Sequence, residues 1–281
     1  MNSDTDIFTK IADKYYTFTT SEKKISDYVI IQRKNVQYMS ISELAEACGV
    51  AEATISRFCR SLGYKGYNAF KVAIASASDG ERTITDIDQN STVYEIAQNR
   101  CAVNIAVIEQ TLAVLDNKIL KEAAKALVKA KRIVCMGQGG SLILAMEAAH
   151  LFSMAFSNCS AVSDSHLQMI AAAGLGPQDC VVYFSYSGST KDLEDIFSVI
   201  KEQQAKIILI TRFPKSSGAL QADYVLCCGA KESPLQHGSV EARISQLLII
   251  DILYHEMCAL EPESTAEHKK SVAKAVALKH I

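Results

Sequence analysis

The sequence predicts two folded parts: an all-α domain at the N-terminus, then an α/β domain with a doubly wound parallel sheet. Three observations carry this. Residues 1–77 contain no proline and repeat their apolar side chains at helical spacing. Residues 76–91, SASDGERTITDIDQNS, are polar and include Gly80, as in a linker. From Lys131 onward, short β-rich runs alternate with helix-like segments, the pattern of parallel strands covered on both faces. A chain of 281 residues is long for one domain and comfortable for two.

In chain order, Ile25, Tyr28 and Val29 follow the cap-like Ser21 on one helix face. Leu44, Ala45 and Cys48 mark a second helix, and Ile55, Phe58 and Leu62 a third. The helical domain is placed at 1–77, the linker at 78–92 and the second domain at 93–281. Val93–Leu115 and Lys118–Ala130 read as helices leading into the sheet. Strands are expected at Arg132–Met136, Val181–Ser185, Lys206–Ile210 and Tyr224–Cys228, with a weaker one at Cys159–Val162. Val240–Leu260 reads as an amphipathic helix and His268–His280 as a more exposed one.

The composition excludes several classes. Hydrophobic residues at 49% and charged residues at 21% are ordinary for a globular soluble protein. Apolar stretches such as Leu247–Leu253 are interrupted by Asp251 and too short for a bilayer, and MNSDTDIF does not look like a signal peptide. Nine cysteines occur without a CxxC pair, several within apolar runs (Cys135, Cys180, Cys227). They read as reduced, buried thiols in a cytoplasmic protein, so neither metal nor cofactor is expected. Residues 33–71 carry Arg33, Lys34, Arg57, Arg60, Lys65 and Lys71 against Glu43, Glu46 and Glu52, an excess too modest to name a nucleic-acid partner alone.

Spacing is more telling than charge. In Ile41–Leu62, ISELAEACGVAEATISRFCRSL, Ala45 supplies the small residue that two sharply crossing helices need where they touch. Gly49 supplies the positive φ of a tight turn, and Val50, Ile55 and Phe58 stand where a second helix must bury its apolar face. Ala45, Gly49, Ile55 and Phe58 thus fall in the spacing of a helix-turn-helix. Thr54, Ser56, Arg57 and Arg60 remain as the polar face for the major groove of a double-stranded DNA operator, with Arg57 suited to guanine and Lys65 to a phosphate. The alternative is a helical hairpin with a solvated charged face.

The run AEATISRFCRSLGYKGYNAFK, with SEKKISDYVI and ISELAEACGV upstream, resembles the N-terminal domain of the RpiR/MurR family of sugar-responsive regulators. That resemblance covers essentially residues 15–260. It implies a DNA-binding transcription regulator of carbohydrate metabolism genes.

Two further loops each follow an expected strand and open a helix: Gly137-Gln138-Gly139-Gly140-Ser141 and Ser185-Tyr186-Ser187-Gly188-Ser189-Thr190. Glycines admit an anion close to the backbone, N–H groups and the helix dipole favour its charge, and hydroxyls add donors without adding positive charge. Dinucleotide binding, with Asp164 as the ribose acid, is a competing reading, but GxGxxG fails at its third glycine, where Leu142 stands. The serines and Thr190 also suit plain helix caps.

The paired loops resemble the SIS (sugar isomerase, Rossmann-like) domain, whose members bind phosphosugars. That resemblance implies a sugar phosphate effector held by Ser141, Ser185, Ser187 and Thr190, with Gly139, Gly140, Gly188 and Ser189 completing the loops. Asp164, His166 and Gln168 fit the regulators' pattern, and Glu241 and Arg243 lie where the family brings polar groups from its C-terminal helix. SIS domains also serve isomerases, for which His166, Glu147 and Glu241 are candidate bases, but no pair of them has a spacing identifiable with that chemistry. A non-DNA-binding assembly module is a third possibility. A single small helix-turn-helix and the apolar faces of Val93–Leu115 and Val240–Leu260 imply a homo-dimer or tetramer.

Overall fold

The computed structural model describes residues 7–78, 91–230 and 239–279. Most of the linker expected at 78–92 lies outside them, as does His280. The described residues through Ala102 form one compact unit, and Val103–Ala230 with Val240 onward form a second.

The first unit is helical: α1 (Ile7–Lys14), α2 (Thr20–Ile31), α3 (Arg33–Val36), α4 (Ile41–Cys48), α5 (Glu52–Ser61) and α6 (Tyr67–Ser78). α2 starts earlier than the sequence suggests. Its cap is Thr19 rather than Ser21, because Thr19 and Glu22 exchange side-chain-to-backbone hydrogen bonds in a capping box. Ser40 and Glu43 do the same for α4. α6 runs through Ser78, so the polar stretch begins inside a helix. Ile11, Ile25, Val29, Leu44, Ile55, Phe58, Phe70 and Ile74 are fully enclosed in one core, each worth roughly 1.5–3 kcal/mol of burial.

α7 (Val93–Val114) opens with a further capping box between Thr92 and Glu95, and runs through the division between the units. The second unit continues with α8 (Asn117–Lys129), β1 (Ile133–Gly137), α9 (Gly140–Ser153), β2 (Cys159–Ala161), α10 (Ser165–Ala173) and β3 (Cys180–Phe184). There follow α11 (Lys191–Glu202), β4 (Lys206–Thr211), β5 (Tyr224–Cys227), α12 (Val240–Leu260) and α13 (Pro262–Ala277). α13 starts six residues before the expected His268, since Pro262 is pre-shaped for a first helical turn.

All five strands are parallel, in the order β2-β1-β3-β4-β5. Side chains alternate between two cores, as a pleat requires. Ile133, Cys135, Val182, Phe184, Ile208 and Ile210 face the layer of α8, α9 and α12, while Val134, Met136, Val181, Tyr183, Ile207 and Leu209 face α11 and the end of α10. The chain therefore leaves β1 toward one face and β3 toward the other. At such a reversal a crevice opens beyond the carboxyl ends of the two strands, and ligands of open α/β sheets bind there.

The opposite edge is closed by an ion pair. Asp179, almost fully buried, accepts from Arg132 Nε at 3.1 Å and Nη2 at 2.5 Å, and from the Gly176 amide at 2.9 Å. The guanidinium holds its carboxyl below the usual carboxylate range. A cavity of about 470 Å³ at this edge is lined by Lys125, Lys129, Lys131 and Lys206, away from the glycine loops.

All nine cysteines are free thiols. Burial pushes Cys59, Cys159, Cys180 and Cys228 up to about 12, whereas Cys101 is exposed. At pH 8 a thiol of that pKa is ionised roughly once in 10⁴ molecules, and only the thiolate reacts. Iodoacetamide should therefore label Cys101 first in the native protein, as read by mass spectrometry of digests. Labelling of Cys59 or Cys180 at the same rate would contradict the packing.

Candidate functional site

The helix-turn-helix is built as its spacing requires. α4 ends at Gly49, whose φ of +63° is the left-handed conformation that closes the helix, and the Val50 amide bonds back to Ala45 O at 2.9 Å. Ala45, Ile55 and Phe58 are buried, and Val50 packs at the margin of the same core. Arg57, Arg60 and Lys65 are exposed on and just after α5. Thr54 and Ser56, expected to be exposed, are half-buried, because they flank the fully enclosed Ile55. Arg57 Nη2 donates to Thr54 Oγ1 at 3.2 Å, so in this state the guanidinium lies back along its own helix. Tyr67 and Phe70, just beyond Lys65, belong to the core; the Tyr67 hydroxyl donates to Met39 O at 3.1 Å.

In the second unit Gly137 pairs with Phe184, so the two loops leave neighbouring strand ends side by side. The first loop turns at Gly139, with φ +55° and ψ −126°, a conformation open to glycine. α9 begins there with no side-chain cap. Gly140 is exposed and Ser141 half-buried in its first turn. A β-carbon on Gly137 would stand 2.9 Å from Ser141 O and 3.1 Å from Phe184 O, so the first loop folds back on its own start, close against the end of β3.

The second loop folds around Gly188, at φ +60°. Ser185 is buried and its Oγ accepts the Gly188 amide at 3.1 Å, which gives this serine a part in shaping the loop. Ser187, Ser189 and Thr190 are exposed. Ser187 Oγ accepts the Ser189 amide at 3.4 Å, and Thr190 caps α11 by accepting from the Leu193 amide at 3.4 Å. These hydroxyls keep their O–H donors for a ligand.

His166 and Asp164 are exposed at the start of α10, where Asp164 caps the helix through the His166 and Leu167 amides. That cap role displaces the reading of Asp164 as a ribose acid. Gln168 is fully buried: its Nε2 donates to Gly137 O and Val162 O, and its Oε1 accepts from Gln138 Nε2 at 3.0 Å. It ties α10 to the first loop. Glu241 is half-buried on the first turn of α12, and Glu147 is exposed on α9. Among the described residues no group of three or more His, Cys, Asp or Glu side chains is placed to hold a metal, and no helix is long and apolar enough to cross a membrane.

Sequence reasoning missed a third loop. After β4, Thr211 Oγ1 donates to Tyr186 O at 3.1 Å, the Arg212 amide donates to the same oxygen, and the Gly218 amide donates to Gly188 O at 2.8 Å. Ser216 and Thr211, both buried, fill the space a side chain at Gly188 would need. The run Ser216-Ser217-Gly218 after a strand was the available signal.

A family model described as a helix-turn-helix domain of the rpiR family matches residues 5–81, and a SIS domain model matches residues 126–256. A relative from Caldanaerobacter subterraneus, named as an uncharacterized HTH-type transcriptional regulator, is 32% identical over 279 residues, covering 99% of each chain. The chain belongs to the RpiR family of transcription regulators. Its fellow member RpiR of Escherichia coli K12 is 26% identical over 247 residues, 87% of this chain and 83% of that one. The Vibrio vulnificus NanR protein, solved in complex with ManNAc-6P, has the same fold: TM-score 0.87 at 22% identity, over 96% of this chain and 98% of that one. This RpiR-family chain thus joins a DNA-binding helix-turn-helix to a SIS domain with a five-stranded parallel sheet.

Proposed function

We propose that this regulator controls carbohydrate metabolism genes, and that a phosphorylated sugar bound between the β1 and β3 loops sets its affinity for the operator. The observation that carries the reading is the pair of glycine- and serine-built loops starting from the paired Gly137 and Phe184, where the chain leaves β1 and β3 toward opposite faces of the sheet. The α9 and α11 dipoles and the hydroxyls of Ser141, Ser187, Ser189 and Thr190 form a cradle for a dianion. The NanR complex supports a phosphosugar as the class of effector. Thr54, Ser56, Arg57, Arg60 and Lys65 are the residues proposed to meet DNA, and His166 and Glu241 the polar groups proposed to reach the sugar. Ile105, Ile108 and Leu112 form an exposed apolar stripe on α7, suited to a second copy in a dimer or tetramer.

Catalysis is the second reading, since a putative sugar-phosphate isomerase of Listeria monocytogenes shares the sheet domain at TM-score 0.58. Against it, two of the three candidate bases, His166 and Glu147, are exposed, and proton transfer between sugar carbons needs a base held against the substrate.

The deciding experiment is calorimetry with a panel of sugar phosphates, paired with operator titration. Ser187→Ala should weaken effector binding roughly tenfold to hundredfold, the worth of one hydrogen bond to a charged group, and leave effector-free operator affinity unchanged. Equal effector affinity in the variant would move the cradle elsewhere, and turnover of any panel member would favour the isomerase. Arg57→Ala should lose about 1–3 kcal/mol of operator affinity in a gel-shift assay without loss of helical content. Unchanged affinity would remove Arg57 from the interface.

A further inference from the structure

Tyr186 occupies an unusual place in the cradle. It lies between Ser185 and Ser187, yet its side chain turns away from solvent: the ring packs edge-on against Phe213 at 5.8 Å, and the hydroxyl donates to Ala230 O at 3.0 Å. Ala230 lies in the segment that follows β5. The Cys228 amide of that segment donates to Thr211 O, at the end of the strand beside the cradle. Its Gly229 amide donates to Thr111 Oγ1 at 3.2 Å.

Thr111 is fully buried in α7, and its own hydroxyl donates to Val107 O at 2.7 Å. Contact at this point is between backbones. A β-carbon on Gly229 would overlap the main chain of Gln110 and Thr111 and stand 2.7 Å from Gln110 O. α7 has no room to approach Gly229 further, and the Thr111 hydroxyl holds it from moving away. The cradle loop, the Cys228–Ala230 segment and α7 are therefore linked by one unbroken series of hydrogen bonds and a close packing contact. α7 in turn is the helix that runs out of the sheet unit toward the DNA-binding part of the chain.

We propose that Thr111 is a positioning residue of the effector response: through Tyr186, Ala230 and Gly229 it makes the position of α7 depend on the state of the cradle. The proposal rests on the cradle being the effector site. A ligand acts at a distance only through an element whose two arrangements it binds differently, and α7, gripped at Gly229 by a close contact and a hydrogen bond, is that element in this proposal. Occupation of the loop by a phosphate fixes Ser187 and Gly188, and with them the adjoining Tyr186. The hydroxyl of Tyr186 then selects one position of Ala230, and Gly229 carries that choice to α7.

Two measurements test this. In the first, operator affinity is titrated with and without a saturating sugar phosphate, chosen as the tightest wild-type binder among glucose 6-phosphate, N-acetylmannosamine 6-phosphate, N-acetylglucosamine 6-phosphate, ribose 5-phosphate and arabinose 5-phosphate. Coupling between sites is usually about 5–150-fold. Thr111→Val, which keeps the shape and removes the hydroxyl, should bind the sugar phosphate within about threefold of wild type and lose most of that ratio. Thr111→Ser should retain it. A Thr111→Val protein with the wild-type ratio would overturn the proposal, whereas a loss of sugar-phosphate affinity equal to the loss of response would reduce Thr111 to a support of the cradle and overturn it equally.

The second measurement needs neither effector nor Thr111→Val. In Tyr186→Phe, amide exchange in peptides spanning residues 226–230 and 103–114 should quicken about fivefold or more, while peptides of β2 and α10 exchange as in wild type. Unchanged exchange on α7 would overturn the relay. If no sugar phosphate on the panel bound the wild type, the effector reading would fall, and the exchange result alone would still decide whether the cradle loop and α7 are linked.

Discussion

Gly188→Val is expected to abolish sugar-phosphate binding, with an affinity loss beyond a hundredfold in calorimetry, while operator binding without effector stays at the wild-type level. Three effects add. At φ +60° a β-branched residue is strained by its own backbone. The new β-carbon would overlap Ser216 Oγ and stand 2.8 Å from Ser216 Cβ and 2.9 Å from Thr211 Oγ1, and both residues are buried with nowhere to retreat. The loop would then have to leave its bonds to Ser185 Oγ and the Gly218 amide. A cradle made of backbone amides cannot survive a shift of even 1 Å in the chain that carries them. Wild-type affinity for the effector in this variant would show that the ligand is held by other residues.

Phe58→Ala is expected to cost about 3–5 kcal/mol of stability, read by urea unfolding, and to eliminate operator binding at 37 °C. Phe58 is fully enclosed, with ring contacts to Phe18 at 5.3 Å and Phe70 at 5.8 Å, both edge-on. It therefore joins the entry to α2, the body of α5 and α6. Deleting it leaves a cavity among three helices, and the loss is a large fraction of the 5–15 kcal/mol that stabilises a typical domain. Arg57 stands one residue away on the opposite, exposed face. Comparing Phe58→Ala with Arg57→Ala thus separates loss of the fold from loss of a contact: the first should lower helical content, the second should not. A Phe58→Ala protein with unchanged midpoint would mean that the aromatic cluster is not the centre of this core.

Much of the architecture was legible because its causes are local. The spacing of Ala45, Gly49, Ile55 and Phe58 fixes a helix-turn-helix whatever surrounds it. Strands β1, β3, β4 and β5 fall within about one residue of the apolar runs that announced them, since strands buried on both faces have little choice of composition. Thr19 was missed as a cap because Ser21 lies near enough in sequence to serve, and only the reciprocal bond with Glu22 distinguishes them. The two loops were legible in their glycines and hydroxyls, but not in their bracing. Tyr186, Thr211 and Gly229 bond to partners between 25 and 118 residues away, and separations of that length leave no periodicity to read. The inward turn of Ser185 was hidden for the same reason, since neighbouring Ser187 has the same chemistry and faces out.

Gly137, Gly188, Gly218 and Gly229 all lie where a single methyl group would strike another stretch of main chain or an enclosed side chain. The rim of the sheet is in effect a scaffold of bare peptide, in which main chain approaches main chain with no room for side chains between. Such a scaffold also divides the labour of molecular change. The peptide frame tolerates almost no alteration, while exposed side chains around it, His166 among them, can be exchanged freely. If the loops hold a phosphate as proposed, a protein made this way can acquire a taste for a different sugar without rebuilding the frame around them.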